Sequence, residues 1–192
     1  MGKIKYIDKV RKFFEESPIV SINSLKKFLG KNKKYIYLLI NHLIKRGEIK
    51  RLTDGFYSLY DDPSLAVFCF KPAYLGLQNA LSIYNLWEQE TIPVIITTRK
   101  IRTGIRQISG INVLIRRIKK EYFFGFEYIK YGDFYLPVSD IEKTFIDMIH
   151  FKQDIDKETL KNFKKRINKP KLKIYLKKYP KRIRERILNK LK

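Results

Sequence analysis

The chain has 192 residues, 44% hydrophobic and 14% aromatic, enough for a packed core and too apolar for wholesale disorder. Its formal net charge is +23 with a pI near 10.0. Such a surface draws phosphates through counterion release, so nucleic acid is the expected partner ahead of an anionic membrane surface.

No run approaches the ~18 consecutive apolar residues of a membrane span. The start, Met1-Gly2-Lys3-Ile4-Lys5-Tyr6, carries no signal-peptide apolar region, and Tyr6 stands where a myristoylation signal has Ser or Thr. A soluble cytoplasmic chain without a membrane partner is expected. The single cysteine, Cys69, lies in the apolar stretch 66–70, the setting of a buried thiol in a reducing compartment. Residues 1–60 hold 14 Lys/Arg against 5 Asp/Glu, residues 61–150 hold 11 against 10, and residues 151–192 hold 17 against 4. Two basic ends flank a nearly neutral middle, which predicts distinct tasks for the segments.

Ile4, Ile7, Val10, Phe13 and Phe14 recur at helical spacing up to Ser17-Pro18. After a short extended piece at 19–21, a second helix is capped by Ser21 or Asn23 and closed by Gly30. Asn32 can cap a third, in which Tyr35 or Ile36, Leu39, Ile40, Leu43 and Ile44 form the inward stripe. Gly47 ends it. Residues 48–52 and 56–60 flank an Asp54-Gly55 turn and read as a hairpin. Three helices followed by a hairpin give a winged helix-turn-helix over 1–61, and Asp61 to Ser64 reads as a linker.

The next domain, 65–150, opens with a helix expected over 74–87, then a strand over 93–98 and hairpins over 105–118 and 122–137. A helix follows from Ser139 to His150. That order predicts an α+β domain with a mainly antiparallel sheet. Residues 151–192 return to helix, broken at Pro170 and Pro180, as a basic helical extension that can grip DNA, bind RNA or an acidic protein, or simply be solvated.

A major groove admits one α-helix, read from its first turns. On the third helix Lys33 and Lys34 can meet phosphate or guanine, Tyr37 a base or phosphate, and Asn41 an adenine, with Asn32 and Tyr35 in the same opening turn. Lys26, Lys27 and Lys31 can touch flanking phosphates, setting affinity and not sequence preference. Lys50 and Arg51 precede the wing turn and can follow the minor groove or backbone, or can simply guard a basic edge strand. A solvated helix face, or a protein-binding winged helix, is the plainer alternative.

No catalytic residue is expected. Glu142 and Lys143 are adjacent, which breaks the E-x-K spacing of a nuclease metal site, and Ser139 with Glu142 reads as a capping box. His42 and His150 are far apart in sequence, and no cysteine cluster or glycine-rich phosphate loop occurs, so neither metal nor cofactor is expected.

Four ordered strings carry a family likeness: 74–86 (Tyr-Leu-Gly-Leu-Gln-Asn-Ala-Leu-Ser-Ile-Tyr-Asn-Leu), 92–98 (Ile-Pro-Val-Ile-Ile-Thr-Thr), 123–127 (Phe-Phe-Gly-Phe-Glu) and 138–147 (Val-Ser-Asp-Ile-Glu-Lys-Thr-Phe-Ile-Asp). With the winged helix ahead of them, residues 5–150 resemble the AbiEi-type antitoxins of abortive-infection toxin–antitoxin systems. The resemblance implies a repressor of its own operon, bound to an inverted repeat in the promoter, that counters a nucleotidyltransferase-like toxin. It implies promoter contacts by Lys33, Lys34, Tyr37, Asn41 and the Lys50–Arg51 wing. The alternatives are a DNA-processing enzyme or nuclease accessory factor, and a protein-interaction module.

Overall fold

The first helix, α1 (Ile7–Glu15), turns Ile7, Val10 and Phe14 inward. This computed structural model describes residues 5–89 and 91–191, so the expected apolar position Ile4 lies outside the described residues. The chain divides into two compact units: one runs to Cys69 and takes in Gln107–Ile111, and the other holds Phe70–Arg106 and the chain from Asn112 onward.

In the first unit α1 is followed by β1 (Val20–Ser21), α2 (Ile22–Leu29), α3 (Lys33–Lys45), β2 (Lys50–Thr53) and β3 (Phe56–Ser58). Ser21 caps α2 in a reciprocal box with Ser24, and Gly30 closes the helix at φ 62°. Asn32 caps α3 by accepting the Tyr35 N–H at 2.9 Å. The three strands pair antiparallel in the order β1-β3-β2, with Val20 opposite Tyr57 and Lys50 opposite Ser58. Gly55 takes φ 77° in the turn between β2 and β3, a conformation open to glycine without steric penalty. Val10, Phe14, Leu25, Ile36, Leu39, Ile40, Leu43, Ile49 and Tyr57 share one core in this unit. Each large apolar side chain removed from water there contributes about 1.5–3 kcal/mol. Glu48 ties α1 to the end of α3 by accepting from Arg11 at 2.7 and 2.9 Å and from Arg46 at 2.6 Å.

Of the expected linker at 61–64, Asp61 and Asp62 lie ahead of a 3-10 segment, Pro63–Phe70, and the Asp62 carboxylate accepts the Ser64 N–H at 2.7 Å. Leu65, Ala66, Val67, Cys69 and Phe70, which follow Ser64, are buried. The first compact unit runs to Cys69.

The second unit contains β4 (Ala73–Leu75), α4 (Gln78–Ile83), β5 (Val94–Thr97), β6 (Gly104–Ile108), β7 (Ile111–Arg117), β8 (Phe126–Tyr131) and β9 (Phe134–Ser139). Then come α5 (Ile141–His150), α6 (Lys157–Arg166), α7 (Lys169–Leu176) and α8 (Lys181–Leu191). The tip of the β6–β7 hairpin groups with the first unit. The strands form one sheet in the order β6-β7-β5-β4-β9-β8. It is mostly antiparallel, as expected, with parallel neighbours at β5·β7 and β4·β9. The helix expected over 74–87 is shorter: Tyr74 and Leu75 pair with Ile96 and Ile95 in the sheet, Leu77 takes φ 53°, and only Gln78–Ile83 is helical. Leu77 and Leu81 keep their inward face, which is why their spacing misled.

Tyr74, Leu81, Ile96, Phe145 and Ile146 share one core with Phe163, Ile167, Leu172, Leu176, Tyr179 and Ile187. From Lys157 to Leu191 the chain is basic and largely helical as expected, and its helices α6, α7 and α8 contribute a wall of the second unit's core. The described residues form an α+β structure, and no helix among them is long and apolar enough to cross a membrane.

Candidate nucleic-acid interface

On α3 the inward stripe is Ile36, Leu39, Ile40 and Leu43, each 0% exposed. A helix with one buried stripe must turn the opposite residues to solvent. Lys34, Leu38, Asn41 and Lys45 follow an i, i+4, i+7, i+11 line along that outer face, with Lys33 and Tyr37 beside it, and all six are exposed. The Lys33 ammonium stands 5.5 Å from the Tyr37 ring centre, a cation–π contact that leaves both at the surface.

The turn between α2 and α3 forms an open concavity lined by Asn23, Lys26, Lys27, Gly30, Lys31 and Asn32. Lys31 caps one face of Tyr6 at 5.3 Å, with Lys5 at 5.4 Å and Lys9 at 5.8 Å from the same ring. Among the described residues no acidic side chain pairs with Lys26, Lys27, Lys31, Lys33 or Lys34. Five lysines without acid partners, beside the N-terminal end of α3, make a site suited to phosphate oxygens.

Three of the expected contributors are placed otherwise. Tyr35 is half-buried: its hydroxyl donates to the Lys5 carbonyl at 2.8 Å and its ring meets Tyr6 edge-on at 6.4 Å. It braces α1 against α3 instead of facing outward. In the wing, Lys50 pairs with Asp61 and Arg51 with Asp54. Both cations stay more than half exposed, at 52% and 57%, but each already carries a counter-charge, which weakens their pull on a phosphate. Two apolar residues of α3 lie outward against the reading of the sequence: Ile44, expected on the inward stripe, is 36% exposed, and Leu38 is 52% exposed, its place four residues after Lys34 and three before Asn41 being the available signal.

The acidic cluster of the second unit is internally satisfied. Asp140, not Ser139, caps α5, accepting the Lys143 N–H at 2.7 Å, while the Ser139 hydroxyl pairs with that of Thr144 at 2.8 Å. The expected Ser139–Glu142 capping box is therefore not formed: a single side-chain cap at Asp140 takes its place, and Glu142 bonds elsewhere. Glu142 accepts the Asn168 N–H at 2.7 Å and lies 3.1 Å from the Lys171 ammonium, tying α5 to the start of α7. Asp140 also accepts from the Tyr175 hydroxyl at 2.7 Å and from Lys171 at 3.0 Å.

Lys143 points the other way, into the core, where it pairs with Asp147 with both side chains 0% exposed. Asp147 accepts from the Tyr74 hydroxyl at 2.8 Å, and the lysine reaches the Tyr179 hydroxyl at 3.2 Å. Burial pushes the Lys143 amine below the usual lysine range and the Asp147 carboxyl above the usual carboxylate range, each opposed by its partner's charge. Burial also lowers His150, which sits against Tyr122 at 5.6 Å and Tyr179 at 6.1 Å, and pushes the Cys69 thiol up to about 12. Among the described residues no three His, Cys, Asp or Glu side chains gather to hold a metal ion.

No family model and no curated protein matches the chain. Among solved structures it is similar to the RV2827C protein from Mycobacterium tuberculosis, at 13% identity and a TM-score of 0.59, over 97% of this chain and 75% of that one. At that identity the likeness concerns the fold alone, which is α+β in this chain.

Proposed function

We propose that residues 1–61 form a winged helix-turn-helix that inserts α3 into the major groove of a promoter duplex, and that the chain represses its own operon. The observation that carries this reading is the outer face of α3, where Lys33, Lys34, Tyr37 and Asn41 are exposed opposite a fully buried stripe. A helix so held presents cations and an amide to base edges and phosphates without losing its packing. The lysines of the α2–α3 turn add sequence-independent grip, and the Lys50–Arg51 wing adds less because Asp61 and Asp54 partly neutralise it.

The antitoxin role, countering a nucleotidyltransferase-like toxin, is proposed for the second unit on its resemblance to AbiEi-type antitoxins. The bonds already made by Asp140, Glu142 and Asp147 support a non-catalytic reading without cofactor or metal. Duplex nicking in magnesium by the wild type, lost in Glu142→Ala, would overturn it.

Gel retardation of the duplex upstream of the coding sequence tests the DNA reading. Full-length protein retards it, and Lys33→Ala/Lys34→Ala weakens binding at least about tenfold with an unchanged melting curve, since two charge-assisted contacts are lost. Equal affinity of the two proteins removes α3 from the interface. For the second unit, co-expression with a toxin of the same operon restores growth; persistent growth arrest contradicts the antitoxin role.

A further inference from the structure

Leu38 is out of keeping with its surroundings. It is 52% exposed on a line otherwise built of Lys34, Asn41 and Lys45, and it lies outside the first unit's core. A single exposed leucine on a protein surface needs no explanation by itself. One placed mid-way along a cationic groove-facing helix does: its branched methyls would meet base edges that offer hydrogen-bond donors and acceptors, and it can satisfy none of them. The major groove contains one apolar feature, the C5-methyl of thymine.

We infer that Leu38 is a specificity-determining residue that packs on a thymine methyl, so that the recognised half-site contains a thymine at one fixed position. Asn41 lies three residues further along the same face, one turn of helix away. Its amide has the donor and acceptor pair that matches adenine N7 and N6, so the two side chains together favour an A·T-containing step at the centre of the half-site. Lys34, one turn before Leu38, meets the flanking guanine or phosphate. This inference rests on the proposed groove binding and names the base class that this groove binder selects.

The test begins with a pool of random-sequence duplexes from which full-length protein selects its preferred site. In the selected duplex each thymine is then replaced, one at a time, by deoxyuridine, which pairs identically and lacks only the methyl. At one position per half-site the replacement weakens wild-type binding about fourfold, the effect of exposing one buried methyl. Leu38→Ala, which removes an exposed side chain and leaves the melting curve unchanged, binds the thymine and uracil duplexes equally, at the level of wild type on uracil. Wild-type affinity that is the same for thymine and uracil at every position, while Lys33→Ala/Lys34→Ala still binds weakly, overturns the inference and leaves the repressor reading standing. The same holds if Leu38→Ala discriminates thymine from uracil as the wild type does. Failure to enrich any sequence overturns the groove-binding reading and the inference with it.

Discussion

Replacing Lys143 by Met removes the ammonium that faces Asp147 and leaves a carboxylate, 0% exposed, with the Tyr74 hydroxyl at 2.8 Å as its remaining side-chain donor. Replacing Asp147 by Asn keeps an acceptor for Tyr74 but leaves the lysine, also 0% exposed, with the Tyr179 hydroxyl at 3.2 Å and the rings of Tyr74 and Phe124. Breaking a buried pair from either side strands a charge in low dielectric, so each single variant is expected to lose about 3–5 kcal/mol. The double variant Lys143→Met/Asp147→Asn strands no charge. It is expected to lose less than either single variant and far less than their sum. Urea titrations followed by circular dichroism at pH 7 give the three losses from the midpoints, provided the slopes agree. Single losses under about 1 kcal/mol, or additivity within about 0.5 kcal/mol, would refute the pair as a coupled structural tie between α5 and the surrounding core.

Three further outcomes follow from the same contacts. Hydrogen bonding from Arg11 holds the Glu48 carboxyl down at about 2 against an ordinary value of 4.5, so its contribution is complete above pH ~4.5 and is lost as pH falls towards 2. The stability of Glu48→Gln should therefore fall less between pH 5 and pH 2.5 than that of the wild type in matched urea titrations; equal falls would contradict the Arg11–Glu48 tie. Asn32→Ala removes the side chain that accepts the Tyr35 N–H, and should lower stability by about 1 kcal/mol and weaken duplex binding by loosening the first turn of α3; unchanged stability would contradict the cap. Gly125→Ala should destabilise by about 2 kcal/mol or more, because φ is 69° and the added carbon would stand 2.8 Å from the Tyr175 ring and 2.9 Å from the Lys143 Cβ; a melting temperature within a degree of wild type would show that the site yields more easily than this packing implies.

Much of the first unit was legible because its signals are local. Ser21, Gly30, Asn32 and Gly55 each mark a cap or turn through a conformation or hydrogen bond made within a few residues, and the stripe Ile36, Leu39, Ile40, Leu43 needs only the helical period. What was hidden depends on partners distant in sequence. Tyr74 and Leu75 belong to a strand because Ile96 and Ile95 pair with them, although Leu77 and Leu81 advertise a helix. The cap of α5 fell to Asp140 because Ser139 and Thr144 bond each other and Glu142 is taken by the start of α7. The basic C-terminal segment looked detachable because its lysines dominate its composition, while Phe163, Leu172, Tyr179 and Ile187 join the core of the second unit.

On α3, sequence placed Lys33, Lys34, Tyr37 and Asn41 away from the inward stripe, and all four are exposed. It could not show that Tyr35 turns back to the Lys5 carbonyl, or that the wing cations are paired by Asp54 and Asp61, because chain reversal decides both. Leu38 was assigned to neither face, and its outward position shows when the period is followed through Lys34 and Asn41.

Salt dependence of duplex binding, measured by fluorescence anisotropy between 50 and 400 mM salt, addresses the central claim most directly. If the α3 face and the α2–α3 turn neutralise about six phosphates, log K falls against log salt with a slope near −5, and Lys33→Ala/Lys34→Ala flattens it by roughly 1 to 2. A slope near zero, or one that the double variant leaves unchanged, would contradict the insertion of this face between the strands of a duplex.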